Sequence, residues 1–196
     1  MRRMSRADRA RWGAARTVAD LAELTAQWLT GQLGSRPGYA AGYGPDPETT
    51  EVSGDVLPAL VIANHAGFLT EQSQPGYDGA GDDGARWRQL AAVAGFAEAD
   101  TLARVRKVFR GTRCRVIAHP GARPWYRRGA AGVVATDRNG RAVTDFGGHL
   151  SAGDIAGMYD VCHRDAVTAV IRAWQVTVID PVWGANDALW PALSRM

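Results

Sequence analysis

The sequence predicts a mixed α/β (α+β) fold: one globular domain with a mixed β-sheet core flanked by helices. Three observations predict it. Apolar residues at helical spacing dominate the first third. Short segments of alternating polarity then appear between helical ones. The 196-residue chain shows no internal repeat or low-complexity tract. That length accommodates one domain carrying a helical arm, with residues 1–16 the basic arm and 17–196 the globular part.

The elements follow in order. Ser5 to Ala15 reads as a short polar helix. Thr17 is an N-cap with Asp20 three residues on, close to a capping box. Val18, Leu21, Leu24, Trp28 and Leu29 follow at helical spacing until Gly31 or Gly34. Ser35 to Pro47 is rich in Gly, Pro and Tyr and reads as an irregular loop. Glu48, Thr49 and Thr50 are suited to opening a helix that covers roughly Asp55 to His65, with Pro58 confined to its first turn.

That helix ends at Gly67. Two apolar residues follow, then Thr70, Glu71, Gln72, Ser73 and Gln74, then Pro75-Gly76. Five polar side chains between a buried element and a sharp turn suit a binding segment. The plainer reading is a strand end with solvated groups. On a regular strand Thr70, Gln72 and Gln74 face one way, and Glu71 and Ser73 the other.

Gly76 to Gly84 reads as a loop. Arg86 to Phe96 reads as a strand. Asp100 caps a helix through Leu102, Val105, Val108 and Phe109. Arg113 to His119 alternates as a strand. Val133–Thr136 and Ala142–Phe146 form a hairpin around Asn139-Gly140. Ser151 caps a mostly helical stretch to Trp174. Val176 to Ile179 is a short strand broken by Asp180-Pro181, and Asp187 opens a last helix with Leu189, Trp190 and Leu193.

Composition excludes several function classes. The chain is 46% hydrophobic and 22% charged, and no apolar stretch approaches the roughly 18 residues of a membrane span. No apolar core follows the basic N-terminus, so no signal peptide is expected. Cys114 and Cys162 stand far apart and form no metal-type spacing, which suits a reduced cytoplasmic setting. Net charge is only +3, carried almost wholly by Arg; Lys107 is the only lysine. Arg2, Arg3, Arg6, Arg9 and Arg11, and Arg123, Arg127 and Arg128 beside Trp125 and Tyr126, suit phosphate contacts. No nucleic-acid-binding signature accompanies them, and solvated faces are the plainer reading.

The histidines His65, His119, His149 and His163 lack ligand spacing, and no metal site is expected. Cys162-His163 with Asp160 does not make a nucleophile pair, because adjacent helical residues diverge. The Asp78, Asp82 and Asp83 loop repels phosphate and lacks the ordered spacing of a calcium loop. No phosphate-binding or serine-hydrolase motif occurs.

Asn64, Gly67, Leu69, Thr70, Ser73, Gln74 and Pro75 reproduce a pattern, Asn-x-x-Gly, an apolar pair, then Thr-x-x-Ser-Gln-Pro. With Trp28 to Gly31, Pro47-Glu48-Thr49, Arg113 to Val116, and Val176 to Asp180 followed by Trp183, Asn186-Asp187, Leu189-Trp190 and Leu193, the chain resembles the C-terminal regulatory domain of methylenetetrahydrofolate reductase. The likeness runs from about Leu21 to Leu193 and is weakest between Pro120 and Ala166. The chain also resembles a small actinobacterial and phage-associated family of unknown function.

The reductase likeness implies a stand-alone domain that binds S-adenosylmethionine, S-adenosylhomocysteine or a related nucleoside. It implies contacts at Glu48, Thr49, Thr70, Glu71, Gln72, Ser73 and Gln74, with Thr144 in Ala142-Val143-Thr144 and Thr136 as its rival. The catalytic barrel of the reductase is absent, so output would pass to a protein partner or a change in oligomeric state. Two other readings stand beside it. One is a small enzyme using the same pocket, with Glu71, His119 or His149 as acid or base. The other is a ligand-free interaction module.

Overall fold

A computed structural model describes residues 4–39, 44, 54–124, 127 and 129–196. The fold class is the expected one, a seven-stranded sheet flanked by helices. The expected mixture of strand directions narrows to one, since every named ladder is antiparallel.

Helix α1 (Arg6–Ala14) is capped by the Ser5 hydroxyl, which accepts from the Asp8 amide. Its Trp12 is fully buried and donates to the Ser35 carbonyl at 3.0 Å, so the arm is docked on the core. Helix α2 (Val18–Leu29) carries the anticipated Thr17–Asp20 capping box. Helix α3 (Val56–His65) holds Pro58 in its first turn, where its missing N–H costs nothing. Asp55 makes no side-chain cap there. Gly67 adopts φ +86°, and Phe68 donates back to Ala63, closing the helix with the left-handed residue such ends favour.

Strand β1 (Leu69–Gln74) leads through Pro75-Gly76 into β2 (Tyr77–Ala80). The Gly/Asp-rich stretch after Pro75 is therefore partly strand, correcting the expected loop. Its side chains alternate between half-buried and exposed and lie against β3 (Arg86–Ala97), whose ladder supplies order that composition does not signal. Strand β3 is the spine. Its first half pairs with β2 and β5 (Val133–Arg138), and its second half with β1 and β7 (Trp174–Trp183). Strand β4 (Arg115–Pro120) flanks β7, and β6 (Arg141–Phe146) flanks β5 across the Asn139-Gly140 turn, both residues at positive φ.

Helix α4 (Ala99–Val108) begins one residue before the expected cap, so Asp100 lies in its first turn. The stretch from Ser151 to Trp174 is two helices, α5 (Ala152–Met158) and α6 (Arg164–Arg172), with Trp174 already in β7. His163 caps α6 by accepting from the Asp165 amide, a second start that interrupts the apolar periodicity. Strand β7 also runs through Asp180-Pro181 rather than ending there. Pro181 falls in a register irregularity between the pairs Ile179–Ala92 and Trp183–Leu90, where its missing N–H removes no ladder bond. The last helix, α7 (Leu189–Leu193), starts after Asp187, which pairs with Arg113 instead of capping.

The main core joins helices and sheet through Trp12, Leu21, Phe68, Phe96, Tyr159 and Trp190, each at most 1% exposed. A smaller cluster of Leu90, Ala92, Ala135, Phe146 and Ile179 lies where β3, β5, β6 and β7 meet. Asn186 ties the C-terminal segment to the sheet. Its amide nitrogen donates to the Gly76 carbonyl at 2.9 Å. Its oxygen accepts from the Gly76 amide at 2.8 Å and from Trp190 Nε1 at 3.0 Å. The approach is so close that a Cβ on Gly76 would stand 2.3 Å from the Ala185 carbonyl.

Candidate ligand-binding site

The irregularity that builds the site lies in β1. Thr70 pairs with Gly95 and Gln72 with Ala94, so Glu71 is the extra residue of a β-bulge. A Cβ at Gly95 would stand 2.1 Å from the Leu69 carbonyl, so only glycine permits this approach. The bulge breaks the strict alternation expected for the polar run. All five residues from Thr70 to Gln74 consequently border one cavity of about 300 Å³. Its other walls are Thr25, Trp28 and Leu29 of α2, Arg36 and Tyr39 beyond it, Leu60 of α3, and Thr144, Asp145 and Phe146 of β6.

A bulge leaves backbone carbonyls without ladder partners, and here side chains satisfy them. Arg36 Nη2 donates to the Thr70 carbonyl at 2.8 Å, and the Tyr39 hydroxyl donates to that of Glu71 at 2.9 Å. Arg36 Nη2 also reaches Glu71 Oε2 at 2.6 Å, and the Tyr159 hydroxyl donates to the same oxygen at 2.7 Å. The guanidinium lies 5.4 Å from the Trp28 ring centroid and 5.1 Å from that of Tyr39, within cation–π range of both. Burial is the largest single influence and works against the Arg36 charge, yet Glu71, Tyr159 and Tyr39 together outweigh it and raise the guanidinium above its ordinary value. Burial first, then Glu71, pushes the Tyr159 hydroxyl well above the usual tyrosine value, so it stays a donor.

The remaining polar residues divide into locked and open groups. Asn64 locks Thr70: its Nδ2 donates to Thr70 Oγ1 at 2.7 Å, and its Oδ1 accepts from the Thr70 amide at 3.1 Å. Gln74 spends both amide hydrogens on the Leu90 and Ala135 carbonyls, each at 2.9 Å. Thr144 donates to Thr136 at 2.7 Å, and Thr136 donates to Gln74 Oε1 at 3.1 Å. The two rival threonines are thus neighbours on paired strands, Thr144 at the cavity and Thr136 buried behind it. Among the described residues the side chains of Gln72, Ser73 and Asp145 have no such partners, and Oε1 of Glu71 is likewise open.

Glu48 and Thr49 lie outside the described residues. Six of the eight expected site residues, Thr70, Glu71, Gln72, Ser73, Gln74 and Thr144, border the same cavity. Arg36, Tyr39, Tyr159, Asn64 and Asp145 were not anticipated as site residues. Arg36 and Tyr39 stand in a stretch without periodicity, and Tyr159 resembles any other apolar helical position. Asn64 and Thr70 belong to one sequence pattern, but nothing in that pattern signals the bonds between them.

The expected acid–base candidates are otherwise engaged. His119 and His149 stack on each other with centroids 4.8 Å apart and approach the Gly147 and Gly121 carbonyls at 3.0 and 2.8 Å. Neither borders the cavity. Burial, then Asp160, pushes the Cys162 thiol up to about 12. Among the described residues no cluster of His, Cys, Asp and Glu could hold a metal ion, and no helix is long and apolar enough to cross a membrane. In the second arginine cluster, Arg123 is turned to the His149 and Arg127 carbonyls. Trp125, Tyr126 and Arg128 lie outside the described residues.

A protein family described as "Domain of unknown function (DUF6919)" matches residues 7–196, which include the bulge, every described wall of the cavity and the Asn186 latch. The chain belongs to this family. No curated protein matches it. Family DUF6919 is compatible with the expectation of a family of unknown function, and its description says nothing of the reductase domain.

Proposed function

We propose that this chain is a small-molecule-binding domain, a sensor or regulator, whose ligand is S-adenosylmethionine, S-adenosylhomocysteine or a related nucleoside. One observation carries the proposal. The segment Thr70 to Gln74, singled out by its polarity and by its resemblance to the reductase regulatory domain, borders a cavity together with Thr144 from a distant strand. The open groups suit such a ligand. Glu71 Oε1 and Asp145 accept from ribose hydroxyls or an ammonium, while Gln72 and Ser73 both donate and accept. Trp28 and Tyr39 add aromatic surface.

Binding without turnover is the form of function proposed. The Glu71 carboxylate is tied to Arg36 and Tyr159, and both histidines lie away from the cavity. Output passes to a protein partner or to the oligomeric state. A cytoplasmic setting belongs to the same proposal, supported by two unpaired cysteines.

Thermal unfolding with and without each compound tests it. A ligand at a hundred times its dissociation constant adds about 2.7 kcal/mol to stability. The expected result is a raised melting temperature with at least one of the two compounds, and mass spectrometry recovering it unchanged. Absence of a shift with either at millimolar concentration contradicts the proposal.

A further inference from the structure

A second cavity of about 290 Å³ lies against the first. Glu71, Gln72, Asp145 and Phe146 border both. Beyond them the second cavity runs between Ala94 of β3, Thr177 of β7 and Met158 at the end of α5. The first alone stands at the lower end of small-molecule sites, and the pair together exceeds it.

The boundary between the two has a distinct charge. The described charged residues bordering either cavity are Arg36, Glu71 and Asp145. Arg36 and Glu71 neutralise each other. Asp145 is exposed and has no ion-pair partner among the described residues, so among them its carboxylate is the uncompensated charge at the shared boundary. Its carboxylate lies where Gly132 leaves space, since a Cβ there would stand 2.0 Å from Asp145 Oδ1.

We propose that the two cavities are chambers of one site, for a bipartite ligand whose cationic centre sits at the boundary beside Glu71 and Asp145. This rests on the nucleoside reading above and sharpens it. The nucleoside occupies the chamber of Thr70 to Gln74, and a flexible tail occupies the chamber of Ala94, Met158 and Thr177. A sulfonium or ammonium at the junction gains from the unpaired carboxylate, while a neutral sulfur does not.

Calorimetric titration of the full chain with adenosine, 5′-methylthioadenosine, S-adenosylhomocysteine and S-adenosylmethionine tests this. The expected order has the two tailed compounds tighter than the two short ones, with the sulfonium tightest. Ala94→Leu, which fills the second chamber, weakens the tailed compounds roughly tenfold and leaves adenosine unchanged. Retained adenosine binding shows that the variant is folded. Met158→Phe, at a residue that also borders only the second chamber, serves the same purpose if Ala94→Leu does not fold. Asp145→Asn narrows the difference between sulfonium and neutral sulfur.

Equal affinity for short and tailed compounds, or tailed binding within about twofold of wild type in the chamber-filling variants, overturns the two-chamber proposal alone. Binding of none of the four compounds to wild type overturns the nucleoside reading, and this proposal with it.

Discussion

Arg36 and Glu71 form a buried ion pair at 2.6 Å, with side chains 3% and 10% exposed. The same guanidinium satisfies the Thr70 carbonyl at the bulge. One side chain therefore holds both the irregular backbone and the carboxylate that the bulge turns inward. Removing either partner leaves a buried charge uncompensated, which costs about 3–5 kcal/mol. Glu71→Ala and Arg36→Met are each expected to lose stability on that scale in denaturant unfolding. The double variant Arg36→Met/Glu71→Ala loses less than the sum of the two. Strict additivity contradicts the coupling.

The Tyr159 hydroxyl completes this group and gives it a pH dependence. Its folded pKa is raised by burial and then by Glu71. The unfolded chain therefore releases the proton first, near the ordinary value of about 10. The stabilising contribution is complete below that pH and is lost as pH rises above it. Melting temperature is expected to fall more steeply above pH ~10 in wild type than in Tyr159→Phe. Identical alkaline slopes contradict this.

Asn64 positions Thr70 through a reciprocal pair of hydrogen bonds and is 1% exposed. Asn64→Ala removes both of these bonds from Thr70 and is expected to cost about 1–3 kcal/mol, measured by chemical denaturation. The loss appears without any ligand, which separates positioning from contact.

Much of the fold was legible in the sequence, because caps and periodicity are local. Thr17 with Asp20, the stop at Gly67 and the Asn139-Gly140 turn all act within a few residues of their signal. The misread elements depend on distant partners. Tyr77–Ala80 becomes a strand through β3, and Pro181 stays in β7 because the register slips there. In the site, the polar run was legible as a composition anomaly. Its bulge was not, since Gly95 and Arg36 lie 24 and more residues away from Glu71. Nothing near Arg36 marks it as the group that closes the site.

Gly76 meets the C-terminal segment beside Asn186, which also accepts from Trp190 Nε1. Gly76→Ala forces the chain away from Ala185 and strains the Asn186 bonds. It is expected to destabilise by about 1–3 kcal/mol, the usual range for overpacking. A substitution without effect on the melting temperature contradicts the latch.

Ligand binding at the bulged strand is probed at Ser73. Ser73 borders the cavity, makes no side-chain bond among the described residues, and lies on a strand that accepts a β-branched residue. Calorimetric titration with S-adenosylmethionine, and separately with S-adenosylhomocysteine, compares wild type with Ser73→Val at matched melting temperature. Saturable one-to-one binding of at least one compound to wild type is expected, with a loss of roughly tenfold or more in the variant. No binding to wild type, or unchanged affinity in Ser73→Val, contradicts it.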